Sequence, residues 1–385
     1  MRHRWAIIPV AVLLIASGVI IWTNLHSRQP KAQQGQVPPA KSISIGVIMP
    51  LSGNVATIGQ PCANGMQLAI DEYNGKKRPT EPAIKLISED TLAKPKDAIG
   101  AFTKLVTADH VVAVLGPLTS GEALAVAPIA NENRVVLLSP GASTPDLTQA
   151  GEYVFRNELS DSVGGLRQAQ LARNTLGYSR IAALYMNNDY GLGLFNVFQK
   201  QFVAAGGQIV AAEAYPPDTV DFRTVLARLV KAHPDALFVV GIDELVNVIE
   251  QARALGIQLP IYTTPIFENK SYLEKLGKQA NGILYVYYGT FDSKQPTGAA
   301  KAFIDRYTDR FRQPPTYYSA LGYDAANLLI EGLRINRFQS TGLAGALYAI
   351  HDYAGVTGRS SFDKNGDIDK PVTLKTVRDG QFVPY

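Results

Sequence analysis

The sequence predicts an α/β protein of two consecutive doubly wound lobes, and three observations carry that prediction. From residue 42 onward, apolar runs of strand length alternate with amphipathic stretches of helix length. The alternation pauses near residues 154–157 and then restarts, so it fills two successive parts of the chain. Several apolar runs also break into turns rich in Gly, Ser, Thr and Pro, the composition expected where strand ends face the crevice of an open parallel sheet.

The third observation is clearest over residues 111–143. The run 111–115 ends in Gly116-Pro117-Leu118-Thr119-Ser120-Gly121, a helical stretch follows, and the run 135–138 ends in Ser139-Pro140-Gly141-Ala142-Ser143. Two strands with one helix between them form a βαβ unit with a right-handed crossover.

The remaining elements follow in order. A strand at 43–49 precedes a helix at 60–74, where Met66, Ala69, Ile70 and Tyr73 share one face. A strand at 84–88 leads to a helix opening at Pro95, a favoured first-turn position for proline. Residues 121–132 are helical and 154–157 form a short extended link. The second series predicts helices at 161–176, 190–205, 221–231 and 244–255 and strands at 180–185, 208–212, 236–240 and 261–263. Phe222, Val225, Leu226 and Leu229 give the third of these helices its sheet-packing face. A strand at 282–288 and helices at 298–311, 317–334 and 341–350 come next. The tail reads as hairpin strands around Asn365-Gly366, with a type I′ turn preferred to a calcium loop because Asp363 to Asp367 lacks the regular ligand spacing and terminal Glu.

The 385 residues suffice for two cores, and 46% hydrophobic with 18% charged residues describes a packed protein. A net charge of +4, without a basic run interleaved with aromatics, argues against a nucleic-acid partner. Cys62 stands alone, so the expected fold rests on its cores rather than on an intrachain disulfide, with Cys62 a small packed residue.

Residues 1–28 read as a signal peptide or membrane anchor. Arg2 and Arg4 precede an uncharged stretch, 5–22, that stays apolar beyond its small residues and has Trp at each end. That length approaches a bilayer span, and the basic N-terminal side orients the rest of the chain outward. Residues 29–41, with Pro30, Pro38 and Pro39, read as a flexible linker.

No nucleophile elbow, P-loop or zinc-protease motif occurs, and the five His residues are scattered, so the expectation is a protein without enzyme activity, metal or cofactor. Gly191-Leu192-Gly193-Leu194-Phe195-Asn196 imitates a dinucleotide fingerprint but has Asn196 in place of the third small residue. Thr119 and Glu122 have capping-box spacing, which leaves Ser120 with a spare hydroxyl at the positive end of a helix. Thr144 is a second N-cap candidate, which leaves Gly141, Ala142 and Ser143 to present backbone groups and a hydroxyl to the same crevice. Asp243 is open to two readings, a helix N-cap or an anion for an ammonium group.

These motifs together resemble the type I periplasmic binding proteins of the branched-chain amino acid (Leu/Ile/Val) group. The similarity is carried by Ile43 to Val47 with Leu51-Ser52-Gly53, the 116–120 corner, 139–143 with Pro145 to Thr148, Phe155-Arg156, Asp189 to Gly193, and Phe362-Asp363 with Asn365-Gly366-Asp367, and it covers residues 42–385. The resemblance implies a Venus-flytrap protein, with residues 42–157 plus 290–358 as lobe 1, 158–289 plus 359–385 as lobe 2, and three crossovers near 156–160, 287–291 and 357–361. It implies that Ser120, Gly141 and Ser143 hold the α-carboxylate and ammonium of an amino acid and that Tyr190 is an aromatic contact from the second lobe. Ile58 stands where an aromatic often covers the ligand, and the acid expected after Thr263-Thr264-Pro265 is replaced by Ile266-Phe267, with Glu268 just beyond. The expected function is extracytoplasmic capture of an amino acid or related amide or acid for an ABC permease. The alternative is a membrane-tethered sensory domain with a signalling partner.

Overall fold

The computed structural model describes residues 42–292 and 298–385. The expected signal or anchor and the linker lie outside these residues. Among the described residues, no helix is long and apolar enough to cross a membrane.

The first sheet has the order β2-β1-β3-β4-β5, formed by β1 (Ile43–Met49), β2 (Ile84–Asp90), β3 (Ala113–Leu115), β4 (Val136–Ser139) and β5 (Val154–Arg156). All four pairings are parallel. Residues 154–156, expected as a link, are thus the fifth strand, because Val154, Phe155 and Arg156 align with Leu137, Leu138 and Ser139. Three residues are too few for a period-two signal, so pairing alone identifies this strand. Around the sheet pack α1 (Ala56–Lys76), α2 (Pro95–Thr107) and α3 (Ser120–Asn133). Helix α1 begins before the expected residue 60.

The second sheet has the order β14-β13-β10-β9-β8-β6-β7. Its parallel part comprises β6 (Arg180–Met186), β7 (Gln208–Tyr215), β8 (Ala236–Val240), β9 (Ile261–Thr263) and β10 (Leu284–Tyr288). Taken in chain order from β6, these five strands repeat the 2-1-3-4-5 arrangement of the first sheet. The accompanying helices are α4 (Asp161–Gln170), α5 (Asp189–Ala204), α6 (Arg223–Val230), α7 (Glu244–Ala254) and α8 (Lys270–Leu276). Helix α4 continues through Thr175 as a wider π-turn. Beyond it in the chain come α9 (Gly298–Phe311), α10 (Tyr317–Ile335) and α11 (Leu343–Tyr348).

The tail departs from expectation. A hairpin of β11 (Tyr353–Gly355) and β12 (Gly358–Ser360) precedes β13 (Val372–Arg378) and β14 (Gln381–Pro384), which pair antiparallel at the edge of the second sheet. The turn between β13 and β14 is Asp379-Gly380, both with positive φ, as a type I′ turn requires. Asn365-Gly366 instead lies in a loop, where Asp363 Oδ1 accepts from the backbone N–H of Asn365 and of Asp367. Only Gly366 of that pair has positive φ, so the expected type I′ turn is absent there.

The chain passes between sheets at residues 157–160, where Asn157 N–H bonds to Ser139 and Asp161 N–H to Ser143 of the first sheet's loop. Near the return passages, Thr290 N–H bonds to the Thr357 carbonyl. Buried charge fastens this region. Arg156 is 1% exposed and donates through Nε to Asp367 at 2.6 Å, through Nη1 to the Thr144 carbonyl at 2.8 Å and through Nη2 to Thr148 at 2.6 Å. Asp324, also buried, accepts from the N–H groups of Val356 and Thr357 and from the Thr357 hydroxyl, while Lys370 Nζ donates to that hydroxyl at 2.5 Å. Cys62 is wholly buried between α1 and α10, and burial pushes its thiol far above its ordinary value, the packed role expected of it.

Candidate functional site

Each sheet of order 2-1-3-4-5 changes strand direction of progress between its first and third strands, and ligands bind beyond the carboxyl ends at that switch point. In the first sheet this places the loop after β1, with Gly53 and Asn54, beside the loop after β3, with Leu118 to Ser120. In the second it places Asn188 to Tyr190 beside Ile242 and Asp243. All of these residues line one cavity of about 550 Å³.

The expected head-group residues come together there. Ser120, Gly141, Ser143, Tyr190 and Asp243 all line the cavity. Ser120 lies in the first turn of α3, whose start is held by Glu122: its carboxylate accepts from Thr119 N–H at 3.2 Å and from the Thr119 hydroxyl at 2.5 Å. Ser120 is not wholly free, since its Oγ accepts from Thr144 N–H at 3.3 Å. Its own O–H remains available to a carboxylate oxygen. Gly141 packs closely on Leu118, since a Cβ there would lie 2.6 Å from Leu118 Cδ1 and would push that side chain aside.

Ser143 is 5% exposed and donates to Asp161 Oδ2 at 2.8 Å. Ala142 corrects the expectation: it is wholly buried away from the cavity, and its N–H donates to Ser139 Oγ at 3.0 Å. The N–H of a residue following a strand is as readily captured by the strand's own hydroxyl as by a ligand, and here Ser139 captures it. Thr144 precedes a 3₁₀ turn at Pro145–Gln149 but makes no side-chain cap.

Tyr190 stands in the first turn of α5, whose N-cap is Asn188, accepting from Gly191 N–H at 2.9 Å. A Cβ on Gly191 would lie 2.0 Å from the Met186 carbonyl oxygen, so the glycine permits helix and strand to meet and needs no pyrophosphate to explain it. Burial pushes the Tyr190 phenol above its ordinary value, with Asp161 adding to the shift. Thr264, wholly buried and lining the cavity, holds its hydroxyl beside Tyr190 without forming a well-directed hydrogen bond.

Asp243 precedes α7 but makes no side-chain cap. Its carboxylate instead accepts from Tyr272 at 2.6 Å and from Thr57 of α1 at 2.9 Å. Asp243 thus occupies the N-cap position without capping the helix through its side chain, and it lines the cavity. Asn54 likewise reaches Asp218 across the cleft mouth. Glu268, the acid just beyond the expected position, is held elsewhere: Lys375 approaches it within 2.6 Å and Tyr285 donates to it at 2.7 Å.

Sequence reading missed the floor of the cavity. Glu158 and Asp161 both line it, and burial pushes each up to about 7. For Glu158 the nearby charge of Lys370, the Leu159 N–H, the Tyr317 hydroxyl and the charge of Arg156 pull the other way, and for Asp161 the Ser143 hydrogen bond does so first. Tyr288, at the end of β10, and Tyr318, in α10, add aromatic rings. Asp161 reads in sequence as an ordinary first-turn acid, and only the crossover turns it inward. Among the described residues, no group of His, Cys, Asp and Glu is arranged to hold a metal ion.

The same alternation of elements, from the first strand to the last hairpin, matches the periplasmic binding protein family over residues 42–381. The chain belongs to that family. It is similar to the Leu/Ile/Val-binding protein of Citrobacter freundii, 26% identical over 331 residues that cover 86% of this chain and 89% of that protein. Among solved structures it is similar to the branched-chain amino acid transporter substrate binding protein LivJ of Streptococcus pneumoniae in complex with isoleucine, with a TM-score of 0.82 at 29% identity over 89% of this chain and 98% of that one. The leucine binding protein LivK of Thermotoga maritima has a TM-score of 0.81 at 28% identity, covering 89% and 97% of the two chains. The family's two-lobed fold accounts for the repeated strand order and for one cavity built from both switch points.

Proposed function

We propose that this protein is an extracytoplasmic solute-binding protein that captures an amino acid, or a related amide or acid, between two lobes and delivers it to an ABC-type importer. The observation that supports this reading best is the convergence of Ser120, Gly141 and Ser143 from one sheet and Tyr190 and Asp243 from the other on a single cavity. The ligand's carboxylate is assigned to the Ser120 hydroxyl at the N-terminus of α3, where backbone N–H groups favour negative charge. Its ammonium is assigned to the Gly141 carbonyl and to the acidic floor. The lobe boundaries are taken as 42–157 with 290–358 and 158–289 with 359–385.

Delivery to a transporter is preferred to a sensory role because the relatives are binding proteins, one of them described as part of a branched-chain amino acid transporter. A binding role is preferred to catalysis on the same ground. The N-terminal segment is assigned to export, as an anchor or a cleaved signal. A thermal-shift screen of ligand-stripped protein against amino acids, amides and aromatic acids tests the reading. At least one should raise the melting temperature, and no shift with any would overturn it.

A further inference from the structure

The cavity wall is strongly acidic. Four buried carboxylic acids line it, Glu122, Glu158, Asp161 and Glu244, and three more open ones join them, Asp189, Asp218 and Asp243. The basic side chain lining it, among the described residues, is Lys94 alone. Among the described residues none of these acids joins an ion pair, and the buried cations Arg156 and Lys375 are paired with Asp367 and Glu268 instead.

The hydrogen bonds these acids accept come from neutral donors. Asp243 accepts from Thr57 and Tyr272, and Asp218 from Asn54. Glu244 accepts from the N–H of Asp218 at 3.2 Å and of Ile242 at 3.3 Å, which gathers Asp218, Asp243 and Glu244 at one end of the cavity. Neutral donors orient a carboxylate but leave its charge in place. Tyr190, Tyr288 and Tyr318 supply aromatic rings, which attract cations over their faces. The buried Thr264 hydroxyl, lacking a well-formed partner, adds a further polar group to the same wall.

An acid-lined cleft with low-dielectric walls concentrates positive charge, and a cation set among Asp218, Asp243 and Glu244 meets three carboxylates whose hydrogen-bond partners are all neutral. A single α-ammonium is offset by the ligand's own carboxylate, so a zwitterion adds no net positive charge. We propose that the ligand is an amino acid with a basic side chain, its head group at Ser120 and Ser143 and its side-chain cation facing Asp218, Asp243 and Glu244. This rests on the solute-binding reading above and narrows it.

Isothermal titration of refolded, ligand-stripped full-length protein tests the proposal with pairs that differ in charge at similar shape: L-lysine against L-norleucine, and L-arginine against L-citrulline. L-Leucine and L-isoleucine complete the panel. The cationic member should bind at least about tenfold more tightly in each pair, a difference that corresponds to about 1.4 kcal/mol. In D243N and E244Q, verified as folded by thermal melting, that preference should shrink, and added salt should reduce it. Equal or tighter binding of norleucine and citrulline would overturn the charge inference while leaving solute capture intact. Absence of binding by every amino acid would overturn both.

Discussion

Thr57 of α1 donates its hydroxyl to the carboxylate of Asp243, 2.9 Å away at the start of α7, so a residue from around the first sheet is tied directly to one from the second. With the neighbouring Asn54–Asp218 contact it closes the cleft mouth over the cavity. Thr57→Val keeps the shape and removes the donor. A neutral-to-charged hydrogen bond contributes about 1.5–3 kcal/mol, so ligand affinity should fall roughly 10-fold or more, mainly through faster release. Stopped-flow dissociation rates check this, and an unaltered release rate would show that the contact does not help hold the closed form.

Asp161 and Glu158 set a pH dependence. Burial raises their carboxyls from ordinary values of 3.8 and 4.5 to about 7. Because the folded protein holds these protons more tightly than the unfolded chain, the stabilisation is full below the unfolded values and is lost as pH rises through about 7. Their contribution should therefore make the ligand-free protein melt higher at pH 5 than at pH 8, with Asp161→Asn flattening the difference. Melting curves across that range decide it.

The same protons bear on binding. An ammonium group brought beside Asp161 favours its ionised form, so binding below pH 7 should release protons and weaken as pH falls. Titrations in buffers of different ionisation enthalpy count the protons released. Proton uptake would contradict the placement of the ammonium.

Ser143→Ala deletes the donor to Asp161 Oδ2 and leaves a buried acceptor without it. The expected loss is about 1–3 kcal/mol of stability, together with weaker ligand binding. Ser120→Ala deletes the O–H assigned to the carboxylate and should weaken binding by a similar amount with less effect on melting. Calorimetry on both variants separates the two effects.

Arg156 is the fastening of the crossover. Its replacement by Met leaves Asp367 without its cation and two further acceptors, the Thr144 carbonyl and the Thr148 hydroxyl, without their donor, and removal of one partner of a buried pair costs about 3–5 kcal/mol. A pronounced fall in the denaturant midpoint is expected. Loss of under about 1 kcal/mol would show that the pair is replaceable.

Much of the fold was legible because its strands are apolar runs broken by glycine-containing turns: residues 43–49, 236–240 and 261–263 appear with the expected bounds. The fifth strand was not, since Val154 to Arg156 is defined by its pairing with β4 rather than by a pattern of its own. The tail misled because Asn365-Gly366 and Asp379-Gly380 are both turn signals, and the neighbouring strands choose between them. In the site, capping logic pointed to Ser120, Gly141 and Ser143, which do line the cavity, because those residues sit at strand and helix ends, although the Thr144 cap it assumed is absent. It failed at Ala142, whose N–H goes to Ser139, and could not reach Glu158, Asp161, Tyr288 and Tyr318, which meet only through tertiary packing. Asp243 was visible as an acid at a strand end, but its partners Thr57 and Tyr272 are remote in sequence.

The most direct measurement is calorimetric titration of refolded wild-type protein and a Ser120→Ala/Ser143→Ala double variant with the amino acid that gives the largest thermal shift. Capture between the lobes predicts one ligand per chain for the wild type and loss of about 100-fold or more in affinity for the folded double variant, two lost hydrogen-bonding groups at about tenfold each. Equal affinity of the two proteins would contradict the placement of the ligand in this cavity.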